Sequence, residues 1–98
     1  MTEPVPMVVR DDEQHRYELH VGQSIAAFAE FRVRPGYLVF THTETDAAFE
    51  GRGYGSALAK GALDDVRRRG ERIKAECPFI AAYIKRHPEY EDLLVAAA

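Results

Sequence analysis

The sequence predicts an α+β domain with a mixed sheet. Antiparallel strands fill the N-terminal half, and a β-α-β-α unit follows with its helices packed on the central sheet. Three observations carry this. Apolar and polar residues alternate from Tyr17 to Val33, the period of a strand with one buried face. The run Tyr37-Leu38-Val39-Phe40-Thr41-His42-Thr43 is β-prone on both faces, as in a central strand covered on each side. Beyond a glycine-rich segment the period becomes helical, with Leu58, Ala62 and Val66 at i, i+4 and i+8.

Taken in order, residues 1–6 hold Pro4 and Pro6 and read as a loose lead-in. Met7-Val8-Val9-Arg10 reads as a first strand, and Asp11-Asp12-Glu13-Gln14 turns the chain. Tyr17, Leu19 and Val21 mark the second strand, and Gly22-Gln23 turns into the third. There Ile25, Ala27, Ala29, Phe31 and Val33 form the buried side, opposite Glu30, Arg32 and Arg34, until Arg34-Pro35-Gly36 breaks the pattern. After the strand 37–43, residues 44–48 read as a loop. A helix over 53–69 turns its apolar stripe away from Lys60, Asp64, Asp65 and Arg67-Arg68-Arg69, and Gly70 stops it. The basic triplet lies where cations oppose the negative end of the helix dipole. A short strand spans 72–76. Pro78 then opens a second helix with Cys77 at its N-cap, because proline's missing N–H costs nothing in the first turn. Ile80, Tyr83 and Ile84 share a face, and His87-Pro88 ends that helix. Tyr90, Leu93, Leu94 and Val95 follow, and the trailing Ala96-Ala97-Ala98 is expected to fray.

Composition bounds the function. At 98 residues and 46% hydrophobic content the chain fits one domain over 1–98, near the small end of what a single core stabilises. A net charge of -3 and a pI of about 5.8 argue against nucleic acid as the partner. The lone Cys77 forbids an internal disulfide and reads as intracellular. There is neither a leader pattern nor an apolar run of membrane-spanning length, so a cytoplasmic location is expected. The four histidines His15, His20, His42 and His87 lack ligand spacing, and no metal is expected.

Phe49-Glu50-Gly51-Arg52-Gly53-Tyr54-Gly55-Ser56 is the most informative segment. Glycine at every second position, between an extended run and a helix, builds a loop whose amides can cradle an anion such as a pyrophosphate. Glycine-rich turns also close ordinary strand-to-helix connections, and G-x-G-x-x-G is not met, because Leu58 fills the third glycine slot. The crossover at this loop is where open sheets take ligands.

The segment running from His42-Thr43-Glu44 through Gly51-Arg52-Gly53-Tyr54-Gly55-Ser56-Ala57-Leu58 to Cys77-Pro78-Phe79 and His87-Pro88-Glu89-Tyr90 resembles the short, single-domain branch of the GNAT acetyltransferase superfamily. The resemblance covers nearly the whole chain. It implies an N-acetyltransferase that uses acetyl-CoA, with the pyrophosphate on Arg52, Gly53, Tyr54, Gly55 and Ser56. The pantetheine arm would lie between splayed strands ending near His42, flanked by Thr41 and Thr43, and near Glu76. Two departures stand out. Glu50 occupies a position that is basic or glutamine in the superfamily pattern, with Arg52 as a compensating charge. Only Asp11 to Gln14 separate the first two strands, where larger members insert helices, so the acceptor side should be open.

Acetyl transfer needs a neutral amine, oxyanion stabilisation and a proton for the leaving thiolate. Cys77, at a helix N-terminus, is a candidate covalent carrier, or else a packed core thiol. His42 and Glu44 are candidates for general base or for orienting the thiol. Tyr83 matches a superfamily tyrosine that protonates the leaving thiolate, or is a core tyrosine. His87 and Tyr90 read as structural. A non-catalytic acyl-CoA-binding or protein-interaction domain is the alternative. The expected partners are acetyl-CoA and an amine acceptor, a small molecule or a protein, with the chain a monomer or a homodimer through its N-terminal edge.

Overall fold

The computed structural model describes residues 4–95, so the trailing alanines fall outside it. Five strands, β1 (Met7–Asp11), β2 (Arg16–Val21), β3 (Ser24–Arg34), β4 (Tyr37–Thr45) and β5 (Arg72–Ala75), form one sheet in sequence order. The first three pairings are antiparallel and β4–β5 is parallel. Between β4 and β5 the chain makes a 3-10 turn (Ala47–Phe49) and helix α1 (Tyr54–Arg68). Helix α2 (Pro78–Arg86) and a 3-10 segment (Pro88–Leu93) follow β5, and Leu94 then bridges to Ile73. This is the mixed α+β sheet that the alternation and the helical period predict, with β1 at an edge.

The inner face of the sheet and both helices share one core. Tyr17, Leu19, Ala27, Ala29, Phe31, Leu38 and Phe40 meet Leu58, Ala62, Leu63 and Val66 of α1 and Ile80 and Ile84 of α2. A fully buried leucine or isoleucine contributes about 1.5–3 kcal/mol. Helix α1 crosses all five strands, and α2 lies beside it against β4 and β5. The opposite face carries Arg16, Glu18, His20, Phe28, Glu30, Arg32, His42 and Glu44, with no helix laid across it among the described residues.

The structure departs from expectation at several positions. Only Leu38, Val39 and Phe40 of β4 are buried in succession, so two-sided cover ends before His42. Residues 44 and 45 extend β4 instead of forming a loop, since they pair with Phe28 and Ala27. Val33 lies at the strand end and is 51% exposed rather than core, while Ala26, at a register shift, is buried. Asp65 is buried rather than on the polar face of α1.

Asp65 is buried because it has partners. Its carboxylate accepts from the Tyr17 hydroxyl at 2.7 Å and from Arg69 Nε at 2.7 Å, and it also binds Arg68. Beside it, Arg10 donates to Glu71 at 2.6 Å and lies over the Phe31 ring at 5.1 Å. Near the other end of the core, the Tyr90 hydroxyl donates to Asp64 at 2.6 Å and Arg67 holds Asp92 and the Glu89 carbonyl. The C-terminal segment is thereby tied to α1.

Burial alone would raise the Asp65 pKa, but the Tyr17 and Arg69 bonds outweigh it and hold the carboxyl below its ordinary value. The folded state therefore binds its proton later than the unfolded chain, whose aspartates titrate near about 3.9. The stabilisation is full above about pH 4 and fades as pH falls through the folded value. Asp65→Asn is expected to destabilise the protein at neutral pH and to flatten its acid unfolding profile, read by circular dichroism. Tyr17→Phe is expected to cost about 1.5–3 kcal/mol in urea denaturation.

Gly61 marks the closest approach of α1 to β1. A Cβ there would lie 2.5 Å from Val8 Cγ2 and 2.7 Å from Val8 Cβ. Gly61→Ala gains about 1 kcal/mol of helix propensity, yet overpacking costs about 1–3 kcal/mol. The urea midpoint is expected to fall; a rise would show that β1 yields freely.

Candidate active site

The site is built where β4 and β5 part. Parallel pairing ends at Phe40 and Ala75, because the Phe40 carbonyl accepts both Glu76 N–H at 3.0 Å and Cys77 N–H at 2.9 Å. One acceptor taking two successive donors bulges the chain, turns it out of the sheet and starts α2. This is why β5 stops at Ala75 although the sequence pattern runs to Glu76. Beyond Phe40, β4 continues alone on that side.

A register shift in β4 sets which groups line the gap. Phe40 C=O faces β5, whereas Asp46 N–H donates to Ala26 C=O on β3, although both residues have the same parity along the strand. The shift opposite Glu30 and Phe31, with Thr41 as the extra residue, reverses the alternation. The backbone groups of Thr43 and Thr45 consequently face the gap. Thr43 pairs with inward Ala29, so its side chain points toward the helices, whereas His42 pairs with outward Glu30.

Cys77 is buried at the N-cap of α2, and its Sγ lies 3.2 Å from Thr43 Oγ1. The structure thus brings together the cysteine and a threonine on the neighbouring strand. His42 does not join them: its side chain is 55% exposed on the other face, edge-on to Phe28 and 3.4 Å from Glu44. Tyr83 stacks on His87 at 4.1 Å and packs near Tyr90. Burial raises its hydroxyl pKa, and its charged neighbours are Lys60, Asp64, Glu89 and Arg86. His42 therefore stands apart from the thiol. Thr41 is half-buried, with Oγ1 3.5 Å from the Glu30 carbonyl.

The glycine loop takes the shape that its composition suggests. Gly51 and Gly53 have φ of 78° and 75°, the left-handed region, with open space around each. Gly53 caps α1 without a side-chain bond, and the first helical bond runs from Ala57 N–H to Gly53 C=O at 3.1 Å. The amides of Tyr54, Gly55 and Ser56 precede that bond and are left without intrahelical acceptors. They open on a cavity of about 210 Å³ walled by Thr45, Phe49, Glu50 and Phe79. Phe79, in the first turn of α2, reaches Gly55 so closely that a Cβ there would meet its Cζ at 2.9 Å. The loop cavity ends at Thr45 and Phe79, and Thr43, two residues earlier on β4, holds Cys77. Arg52 lies over the Phe49 ring at 5.9 Å, and Glu50 is exposed with no ion pair among the described residues.

Neither the close approach of Phe79 to Gly55 nor the Thr43–Cys77 pairing is signalled in the sequence, since each joins residues far apart in the chain. No group of residues suited to a metal ion occurs among the described residues.

A family model described as GCN5-related N-acetyl-transferase matches residues 16–93. The Xenopus tropicalis protein NATD1 is 40% identical over 47 residues, 48% of this chain and 43% of NATD1, so the match spans less than half of that relative. The solution NMR structure of a GCN5-like protein from Staphylococcus aureus superimposes with a TM-score of 0.67 at 18% identity, covering 94% of this chain and 90% of the other. The structural likeness fixes the fold, and the match over residues 16–93 fixes the family: this chain belongs to the GCN5-related N-acetyltransferases.

Proposed function

We propose that the protein is an acetyl-CoA-dependent N-acetyltransferase that passes the acetyl group to an amine through Cys77. The observation that carries this reading is that the free amides of Tyr54, Gly55 and Ser56 open on a cavity bounded by Thr45, two residues along β4 from the Cys77–Thr43 pair. Those amides and the positive end of α1 suit a diphosphate, and the gap-facing backbone of Thr43 and Thr45 suits the amides of a pantetheine arm. Acetyl-CoA supplies an activated acyl group; the chain must bind it, aim it and receive an amine.

Cys77 sits at the N-cap of α2, beside the partial positive charge of that helix's N-terminus. In the proposed route Sγ bonds to the acetyl carbon and the CoA sulfur leaves, taking the thiol proton. Attack of the neutral amine on the acetyl-cysteine then gives the amide and returns a proton to Sγ. Thr43 Oγ1 holds Sγ in place, a positioning role. His42 and Glu44 lie on the acceptor side, not beside the thiol.

Calorimetry is expected to show acetyl-CoA binding, weakened about tenfold by Gly53→Ala, because a β-carbon at φ 75° strains the loop by about 1–2 kcal/mol. Mass spectrometry after a short exposure to acetyl-CoA is expected to show one added acetyl group, lost in Cys77→Ala. Cys77→Ala should lower kcat/KM by at least about a hundredfold. Unchanged turnover would replace the covalent route with direct attack by the amine. Binding without turnover for any amine would favour the acyl-CoA-binding domain.

A further inference from the structure

A cavity of about 560 Å³, larger than the one at the glycine loop and next to it, lies on the outer side of the sheet where β3 begins and β4 ends. Its floor is the apolar start of β3 with the Phe28 side chain, and its rim carries Glu44, Asp46 and Glu50. Thr45 and Glu50 line both cavities, so Glu50 stands on the partition between them. The site already described does not use this space.

Charge and surface define what it fits. Of the three carboxylates, Asp46 caps the Ala48 amide at 2.9 Å, Glu44 lies 3.4 Å from His42, and Glu50 has no ion pair among the described residues. The one cation on the wall, Arg16, is held by Glu18 at 2.7 Å and lies over the Phe28 ring at 4.8 Å. The ring is therefore a surface on which this chain already seats a cation, and the rim remains acidic.

We infer that this cavity binds an alkylamine carrying a second positive charge, and that such a cation offsets the repulsion between Glu50 and the diphosphate in the adjoining cavity. The pocket itself stands on its own geometry; its role as acceptor site and the coupling rest on the acetyltransferase reading. The cationic end would lie among Glu44, Asp46 and Glu50. On the outer face, Glu44 and His42 are about 7 Å apart along β4, a span that a short alkyl chain bridges to bring its other amine to the gap beyond Phe40, across from Cys77. Glu50 then has a use: it makes cofactor and amine binding mutually favourable. Linkage requires the effect to be reciprocal.

The test is an amide NMR titration of the protein without acetyl-CoA, at low salt, with spermidine, n-butylamine and the dipeptide Lys-Lys. Spermidine or the dipeptide is expected to shift Ile25, Phe28 and Thr45 and to bind at least about tenfold tighter than butylamine, with Glu44→Gln and Glu50→Gln each weakening it about fivefold. Tighter binding of spermidine identifies a free polyamine; tighter binding of the dipeptide identifies a basic protein tail. Equal affinity for butylamine, or shifts elsewhere, overturns the pocket. Calorimetry with acetyl-CoA then reads the coupling: saturating spermidine should tighten acetyl-CoA about threefold in the wild type and leave Glu50→Gln unchanged. Acetyl-CoA binding without spermidine binding overturns this inference and leaves the proposed function standing. Spermidine binding at the cavity without acetyl-CoA binding sinks the cofactor reading and the coupling, and keeps the pocket.

Discussion

One carbonyl governs this molecule. Phe40 C=O accepts from Glu76 and Cys77 together, which stops the parallel ladder, turns the chain and places a buried thiol at the start of α2. An ordinary ladder would have carried β5 on beside Thr43 and Thr45 and occupied their backbone groups. The gap thus follows from hydrogen-bond accounting: a strand must leave before its neighbour can offer unpaired amides and carbonyls to a ligand. The core stabilises this arrangement from below, since Phe40 is itself fully buried.

The second constraint is the ending of two helices at one place. The N-termini of α1 and α2 both open toward the parted strands, linked by the contact of Phe79 with Gly55. Their dipoles add partial positive charge at the parted strands. The Tyr17–Asp65 and Tyr90–Asp64 bonds tie the far half of α1 to the sheet and to the C-terminal segment. Rigidity is thereby concentrated away from the loop, and residues 50–53 carry no side-chain hydrogen bonds among the described residues.

Much of the fold is legible in the chain because it is local. Alternation through Tyr17, Leu19, Ala27 and Ala29, the helical stripe of Leu58, Ala62 and Val66, and Pro78 after Cys77 each reflect a few neighbouring residues, and each element formed. The errors have long-range causes. Two-sided cover of residues 37–43 presumes helices on both faces, and among the described residues only the inner face has them, while Val33 is on that inner face but exposed near the end of β3. Asp65 looked solvated because its partner Tyr17 is distant in sequence. The site divides likewise: the loop is a string of glycines, but the register shift at Thr41 that puts Thr43 and His42 on opposite sides leaves no trace in residue types. The family resemblance supplied what period and composition could not, namely acetyl-CoA as the expected ligand.

Whether the gap beyond Phe40 holds an acyl thioester against Cys77 is read most directly from a crystal structure of the protein with acetyl-CoA. The diphosphate is expected on the amides of Tyr54, Gly55 and Ser56, the pantetheine along Thr45 and Thr43, and the thioester beside Sγ. A diphosphate bound elsewhere, or a thioester on the far side of the sheet from Cys77, would contradict this placement.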